Sequence, residues 1–258
     1  MSKSKIIMVL VVLILAVGVI FLKPVKKIQH VSKRPENFTN GVWIKKYPGG
    51  YACFKFETPD GIKIVCDPYN MDETVSADIV TESHQDVDHK DTSMLTGQFT
   101  LLKEPGEYVV KGIHITGIPG KHNKPDTGMT NTVFVFEING IKIAHFASQG
   151  KVPSEEMWVL LKAFNGIDIL LIQTFKSPHW EWDDIKMTPK ECYTVIDRLN
   201  PKIVIPEHGT KEISKDFANH YHTQVEYINY DGFVVTKDIL KNIRRHKILE
   251  MDNNGPTN

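Results

Sequence analysis

The 258-residue sequence has no excess of charge of either sign, because 31 Lys and Arg residues are balanced by 31 Asp and Glu residues. That balance excludes a strongly basic nucleic-acid-binding domain, so no nucleic-acid partner is expected. The glycines and prolines follow no fixed period, which argues against a repeat architecture. With 41% hydrophobic and 24% charged residues, the composition is typical of a globular protein.

A long apolar run lies near the N-terminus, at residues 6–22 (IIMVLVVLILAVGVIFL). As a helix this run is about 25 Å long, at the lower limit for crossing a bilayer core. Lysines flank it on both sides. Ala16-Val17-Gly18 is a small-x-small triplet, but four more apolar residues follow it, which is a poor context for signal cleavage. We therefore expect residues 1–22 to be an uncleaved signal anchor with one membrane-spanning helix, which makes the protein a single-pass membrane-anchored one. Residues 23–41 are expected to be a polar linker.

The side of the membrane stays open at this point. The lysines and the arginine after the run outnumber those before it, which favours a cytoplasmic body by the positive-inside rule. A short basic start before an apolar run instead favours export.

The remaining residues, 42–258, are predicted to form one mixed α/β domain. Its apolar runs are short and often β-branched, and Asn139-Gly140 between two alternating runs indicates a hairpin. Helices are predicted over Ser154–Phe164 and Thr188–Leu199, where Ser154 and Thr188 are typical N-cap residues.

Cys53 and Cys66 lie in a second predicted hairpin that turns at Thr58-Pro59-Asp60-Gly61. A two-residue loop would place the two cysteines opposite each other, where they could pair. A three-residue loop with a bulge at Gly61 would place them on opposite faces of the sheet.

The densest group of possible metal ligands follows the apolar strand at Ile79 and Val80. It comprises His84, Asp86, Asp88 and His89. Imidazole and carboxylate ligands together suit zinc, iron or manganese, and a loop that leaves a strand is a common place for such a site. The sequence therefore predicts a divalent-metal site in this loop.

The stretch ADIVTESHQDVDHKD at residues 77–91 resembles the metal loop of the metallo-β-lactamase superfamily, whose pattern is His-x-His-x-Asp-His after an apolar strand. Further matching pieces follow in order: Asp67-Pro68, Pro105-Gly106-Glu107-Tyr108, His122, Asn131-Thr132, Ile143-Ala144-His145 and Pro206-Glu207-His208. Together they resemble the simple metal-dependent hydrolases that include the ascorbate-6-phosphate lactonases. This resemblance implies an α/β fold, a four-layer αβ/βα sandwich with metals at one edge of its two sheets.

The resemblance also implies two ligand sets. The first would be His84, Asp86 and His122, and the second would be Asp88, His89 and His208. Asp88 would additionally be the catalytic residue that orients or deprotonates the attacking water. The expected cofactor is a divalent metal, zinc or alternatively iron or manganese.

Two positions depart from the family pattern. Asp86 replaces the second histidine of the metal loop, and Ser148 replaces the aspartate that bridges the two metals. A serine hydroxyl cannot bridge two cations as a carboxylate does, so one ion is expected more readily than two. His145 is expected to be a satisfied core residue or to support a metal ligand, and not to bind metal itself.

A loop at residues 176–184 contains His179 and two tryptophans, Trp180 and Trp182. It could cover the cleft and supply His179 as a substitute ligand, or the tryptophans could simply pack the loop against the domain.

These features predict a membrane-anchored metal-dependent hydrolase that uses a metal-bound hydroxide on an ester, lactone or phosphoester bond of a small-molecule substrate. The departures at Asp86 and Ser148 keep a second reading open. In that reading, the fold is catalytically degenerate and acts as a binding module at the membrane.

Overall fold

Strands account for more of the described residues than helices do, as the short β-branched runs predict. The computed structural model describes residues 28–30, 34–36, 38–49, 51–122, 129–173, 187–207, 211–228 and 231–251. The predicted anchor at residues 1–22 lies outside these ranges. Among the described residues, no helix is long and apolar enough to cross a membrane.

The strands are β1 Gln29–His30, β2 Val42–Lys46, β3 Phe54–Glu57, β4 Lys63–Cys66, β5 Val75–Ser76, β6 Ile79–Thr81, β7 Leu95–Thr96, β8 Thr100–Leu102, β9 Gly106–Val110, β10 Ile113–Lys121, β11 Thr130–Ile138, β12 Ile141–His145, β13 Ile169–Gln173, β14 Ile203–Glu207, β15 Val225–Ile228, β16 Phe233–Val235 and β17 Lys247–Met251. The α-helices are α1 Glu155–Lys162, α2 Pro189–Leu199, α3 Lys211–His220 and α4 Lys237–Asn242.

Two large sheets face each other. The first has the order β1-β16-β2-β3-β4-β6-β8, and the second has the order β15-β17-β14-β13-β12-β11-β10-β9. Alternate residues of the central strands point between the sheets, where Phe56 of the first sheet packs edge-on against Phe136 of the second. This shared apolar core fixes the two sheets against each other and defines one edge at which their strand ends meet.

Helices α1, α2 and α3 pack on the outer face of the second sheet through a separate apolar layer that includes Trp158, Ile196 and Phe217. The two predicted helices are confirmed with their caps. The Ser154 hydroxyl accepts a hydrogen bond from the Met157 amide, and Thr188 forms a capping box with Glu191.

The outer face of the first sheet has a different cover in the described residues. Residues 71–77 and 82–99, on either side of β6, lie over Val65 and Val80 and contain only the short strands β5 and β7 and one 3-10 turn, Val87–His89. The resulting mixed α/β sandwich agrees with the predicted fold class. The layer over the first sheet, however, is largely irregular chain, and the candidate metal loop belongs to it.

Both predicted hairpins form. Asn139 and Gly140 have φ angles of 50° and 71°, as the tight turn between β11 and β12 requires. In the other hairpin, the Thr58 amide bonds to the Ile62 carbonyl, so three residues form the loop and Gly61 takes a φ of 88°. Cys66 therefore pairs with Phe54. Cys53 and Cys66 point to opposite faces, and both are free thiols.

Candidate metal centre

The candidate metal loop leaves the carboxyl end of β6, which lies between the parallel strands β4 and β8. Residues Glu82 to Asp86 run out from this end, and the 3-10 turn Val87–His89 then reverses the chain. The Thr132 amide donates a hydrogen bond of 2.7 Å to the Ser83 carbonyl. This bond ties the loop to β11 of the second sheet, so the loop lies across the edge where the two sheets meet.

His84, Asp86 and His122 converge at this edge. One ligand atom from each lies within 4.8 Å of the other two. The His84 Nε2 atom is 3.8 Å from Asp86 Oδ2, and the ring centroids of His84 and His122 are 4.7 Å apart. The predicted first ligand set is thus brought together from two segments that are far apart in the sequence, the metal loop and the residue after β10.

His122 owes its position to a turn that follows β12. His122 forms an isolated bridge with Gln149, and the Gln149 Oε1 atom accepts a hydrogen bond from the Lys121 amide. The Gly150 amide also donates to the Lys121 carbonyl at 2.9 Å. The turn that contains Ser148 therefore holds the third residue of the set, although Ser148 itself carries no carboxylate.

Asp67, directly after β4, is the buried residue that holds the metal loop through hydrogen bonds. Its fully buried carboxylate accepts hydrogen bonds from the Ser83 amide at 2.7 Å, the Ser83 hydroxyl at 2.6 Å and His89 Nδ1 at 2.7 Å. Burial alone would raise the pKa of Asp67, but the neighbouring histidines His89, His145 and His84 outweigh it and lower the pKa to about 2. The ionised carboxylate can only accept, so His89 must donate from Nδ1.

This hydrogen bond determines which nitrogen of His89 can bind a metal. With its proton on Nδ1, neutral His89 has its lone pair on Nε2, which lies 3.9 Å from Asp88 Oδ1. Metal-binding histidines commonly have this arrangement, in which a carboxylate holds the far ring nitrogen. Asp67, His84 and His89 also lie within 4.8 Å of one another, but the contacts of Asp67 identify it as the orienting group.

The donor set suits a divalent cation. Burial, reinforced by His89 and His122, lowers the pKa of His84 to about 3, so its imidazole is neutral. The Ser83 hydroxyl contacts His84 Nδ1 at 2.9 Å and leaves Nε2 directed toward Asp86. Two imidazoles and one carboxylate are a typical ligand set for a catalytic zinc site, which keeps a further position for water or substrate.

The second predicted set is only partly described. Asp88 and His89 lie side by side in the 3-10 turn, whereas His208 falls outside the described residues, as does the loop at residues 176–184 with His179. Ser148, at the position of the missing bridging aspartate, is buried and follows Ala147, which has a φ of 48°.

A buried charged pair lies at the carboxyl ends of β12 and β14. His145 Nε2 is 2.9 Å from Glu207 Oε2, and both side chains are fully buried. Burial alone would lower the pKa of His145, but the charge of Glu207 outweighs it and raises the pKa well above its usual value. His145 is thus a buried, ion-paired core residue, which is one of the two roles expected of it. Its partner Glu207 was not identified by sequence reasoning, and neither was the role of Asp67.

Comparisons with known proteins agree with this geometry. A sequence model described as a beta-lactamase superfamily domain matches residues 46–208. A candidate Zn-dependent hydrolase of the metallo-β-lactamase superfamily from Thermotoga maritima is 30% identical, with a TM-score of 0.63 over 82% of this chain and 98% of that one. No curated protein matches the chain.

Two more distant structures share the fold. The metallohydrolase Igni18 from Ignicoccus hospitalis is 16% identical, with a TM-score of 0.56 over 75% of this chain and 97% of its own. An isothiocyanate hydrolase from Delia radicum gut bacteria is 14% identical, with a TM-score of 0.54 over 82% of this chain and 96% of its own. With the family match over most of the body and the 30% identical relative, the chain belongs to the metallo-β-lactamase superfamily.

Proposed function

We propose that this protein is a metal-dependent hydrolase that cleaves an ester, lactone or phosphoester bond in a small molecule. The observation that carries the proposal is the convergence of His84, Asp86 and His122, with ligand atoms within 4.8 Å of one another. Membership of a superfamily with metallohydrolase relatives supports the same conclusion. The ascorbate-6-phosphate-lactonase branch remains a finer proposal that rests on the sequence resemblance.

His84, Asp86 and His122 would hold one divalent ion, for which zinc is proposed and iron or manganese are alternatives. Asp88, His89 and His208 are the proposed ligands of a second ion. A bound ion would supply Lewis acidity, polarising a carbonyl or phosphoryl oxygen and making water more acidic. Because Ser148 offers no bridging carboxylate, we propose one ion as the working state.

Asp88 is the proposed general base. Its side chain is 31% exposed in the same turn as the buried His89, so it can reach a water molecule that approaches from solvent. Its carboxylate would take one proton of the attacking water as the new bond to carbon or phosphorus forms, and would return that proton to the leaving oxygen as its bond breaks. Asp67 and Ser83 act through His89 and His84, whose rings they orient.

The test compares Asp88→Asn with Asp91→Asn on a panel of carboxylic esters, lactones and phosphodiesters. Asp91 lies three residues later and is partly exposed, and its carboxylate accepts hydrogen bonds from Ser93, so it is a matched control. We expect Asp88→Asn to lower kcat by about 10² to 10⁴, the usual contribution of a general base, and Asp91→Asn to leave it unchanged. Equal activity in the wild type and Asp88→Asn would contradict the role of Asp88.

A catalytically degenerate binding module is the second candidate function, favoured by Asp86 and Ser148. It predicts no hydrolysis by either form of the protein together with retained binding of a ligand. Turnover that depends on Asp88 excludes it.

Anchoring to the membrane through residues 6–22 is proposed from the sequence alone. The full chain should remain with the membrane fraction after alkaline carbonate extraction, whereas a version that begins at Lys23 should be released. Release of the full chain would contradict the anchor.

A further inference from the structure

A cavity of about 380 Å³ lies away from the metal loop, at the opposite end of the parallel strands of the second sheet. Lys202 directly precedes β14, and His246 directly precedes β17. The metal-loop side of the domain lies beyond the other end of β14, about 17 Å along a five-residue strand. The cavity is therefore a separate site, and its function does not depend on the proposed hydrolase activity.

The lining of this cavity is strongly positive. Its charged or titratable residues are Lys202, Tyr221, His222, Arg244, Arg245 and His246, and no described Asp or Glu residue lines it. Lys202, Arg244 and Arg245 supply three permanent positive charges.

The two arginines of this cavity differ from the other two arginines of the chain in their ion-pair partners. The chain has four of them, and two form ion pairs: Arg34 with Glu57 at 2.7 Å and Arg198 with Glu155 at 3.2 Å. The other two, Arg244 and Arg245, both line this cavity. Within the described ranges, neither of them makes an ion pair with a carboxylate, and the same holds for Lys202.

Several of these side chains are held in place by backbone carbonyls near helix ends. Lys202 Nζ donates to the Ile243 carbonyl at 3.2 Å, and Arg245 Nη1 donates to the His222 carbonyl at 3.5 Å. His246 Nδ1 donates to the Pro201 carbonyl at 2.7 Å. An ammonium has three N–H donors and a guanidinium has five, so each cation keeps donors for a ligand after making these bonds.

We propose that this cavity binds the phosphate group of a small anionic ligand, such as a phosphate monoester or a pyrophosphate. The two guanidinium groups and the ammonium that line this cavity match the charge and the several acceptor oxygens of a phosphate better than those of a single carboxylate. The volume lies in the range of small-molecule sites. A soluble phosphate compound and a phospholipid head group would offer the same chemistry.

The test is isothermal titration calorimetry of the full chain in uncharged detergent at low ionic strength. All proteins carry His84→Ala and His122→Ala, so that an ion at the candidate metal centre cannot account for phosphate binding. One arm titrates pyrophosphate, and the other titrates micelles that contain phosphatidate. Arg244→Gln and Arg245→Gln are compared with Arg198→Gln, which removes an arginine charge elsewhere, and thermal unfolding checks that each variant is folded.

We expect saturable binding with one site, weakened at least about tenfold by Arg244→Gln or Arg245→Gln and unchanged by Arg198→Gln. Binding of pyrophosphate identifies a soluble ligand as the source of the phosphate. Binding of phosphatidate micelles alone identifies a lipid head group. No saturable binding in either arm, or equal weakening by Arg198→Gln, would overturn the proposal and leave the cations as partners of the helix-end carbonyls only.

Discussion

Asp67→Asn is the substitution that most sharply separates the orienting role of Asp67 from a purely structural one. Asp67 has a φ of 45°, a left-handed conformation that asparagine also tolerates, so the change adds little backbone strain. The Oδ1 atom can still accept from the Ser83 amide. The new amide NH₂ group, however, replaces Oδ2, the atom that now accepts from the Ser83 hydroxyl and from His89 Nδ1.

The expected effect on stability follows from these two hydrogen bonds. Each now ends on a charged acceptor, where a bond contributes about 1.5–3 kcal/mol, and each would become a neutral bond of about 0.5–1.5 kcal/mol. The metal-free protein should therefore lose about 2 kcal/mol of unfolding free energy in urea titrations at pH 7.

The effect on metal binding is more specific. The amide NH₂ group that this variant carries at position 67 donates, so His89 must accept at Nδ1 and carry its proton on Nε2, the nitrogen directed toward Asp88. Because His89 belongs to the proposed second ligand set, we expect the affinity for a second equivalent of metal to fall by about 10- to 100-fold in competition with a chromophoric chelator. Long-range ¹H–¹⁵N NMR should show the change of tautomer, and Asp91→Asn is again the control. Native affinity together with an unchanged His89 tautomer would refute the reasoning.

Four other substitutions test three separate parts of the structure. Glu207→Ala and His145→Ala should each lower the free energy of unfolding by about 3–5 kcal/mol, because each leaves a buried charge without its partner. The double variant should lose less free energy of unfolding than the two single variants lose together. A coupling energy under about 0.5 kcal/mol in urea titrations would contradict a strong interaction between His145 and Glu207. Ala147→Gly should raise the free energy of unfolding by up to about 1 kcal/mol, since alanine is strained at its φ of 48°, and a clear loss would show that the strain is absent. Burial alone would raise the pKa of Glu73, but hydrogen bonds from Lys55 and a second lysine outweigh it and lower the pKa to about 2. The stabilisation that the ionised Glu73 carboxylate contributes is thus complete above pH 4.5 and is lost as the pH falls toward 2. Glu73→Gln should therefore make the free energy of unfolding depend less on pH over that range, as monitored by circular dichroism. An unchanged pH profile would exclude this role.

Local features of the fold were predictable from the sequence because they depend on neighbouring residues. Asn139-Gly140 specifies its turn through two positive φ angles, and Thr188 specifies a helix start through its side-chain oxygen. The loop between Cys53 and Cys66 was not predictable in the same way. Two loop lengths fit the same residues, and only the strand pairing of Phe54 with Cys66 decides between them.

The candidate site was predictable as far as its residues follow the metal-loop pattern. His84 and Asp86 belong to one short stretch, and the family resemblance added His122. The role of Asp67 depends on β4 lying beside β6, and Glu207 meets His145 across two parallel strands, so neither pairing has a signal in the sequence.

The basic cavity was missed for a similar reason. Its residues come from the ends of several helices and strands, and the neutral net charge of the whole chain conceals a local positive surface. The sequence contains the basic run Arg244-Arg245-His246-Lys247, but Lys247 forms an ion pair with Glu226 and does not line the cavity. Only the fold shows which members of the run share a cavity.

Metal analysis of the full chain, purified without a chelator, tests the central claim most directly. His122→Ala is compared with His114→Ala, since His114 is an exposed histidine on the adjoining strand β10. Plasma mass spectrometry should find about one equivalent of zinc, iron or manganese in the wild type and in His114→Ala, and far less in His122→Ala. Less than about a tenth of an equivalent in the wild type, or full retention in His122→Ala, would contradict a metal centre built on His84, Asp86 and His122.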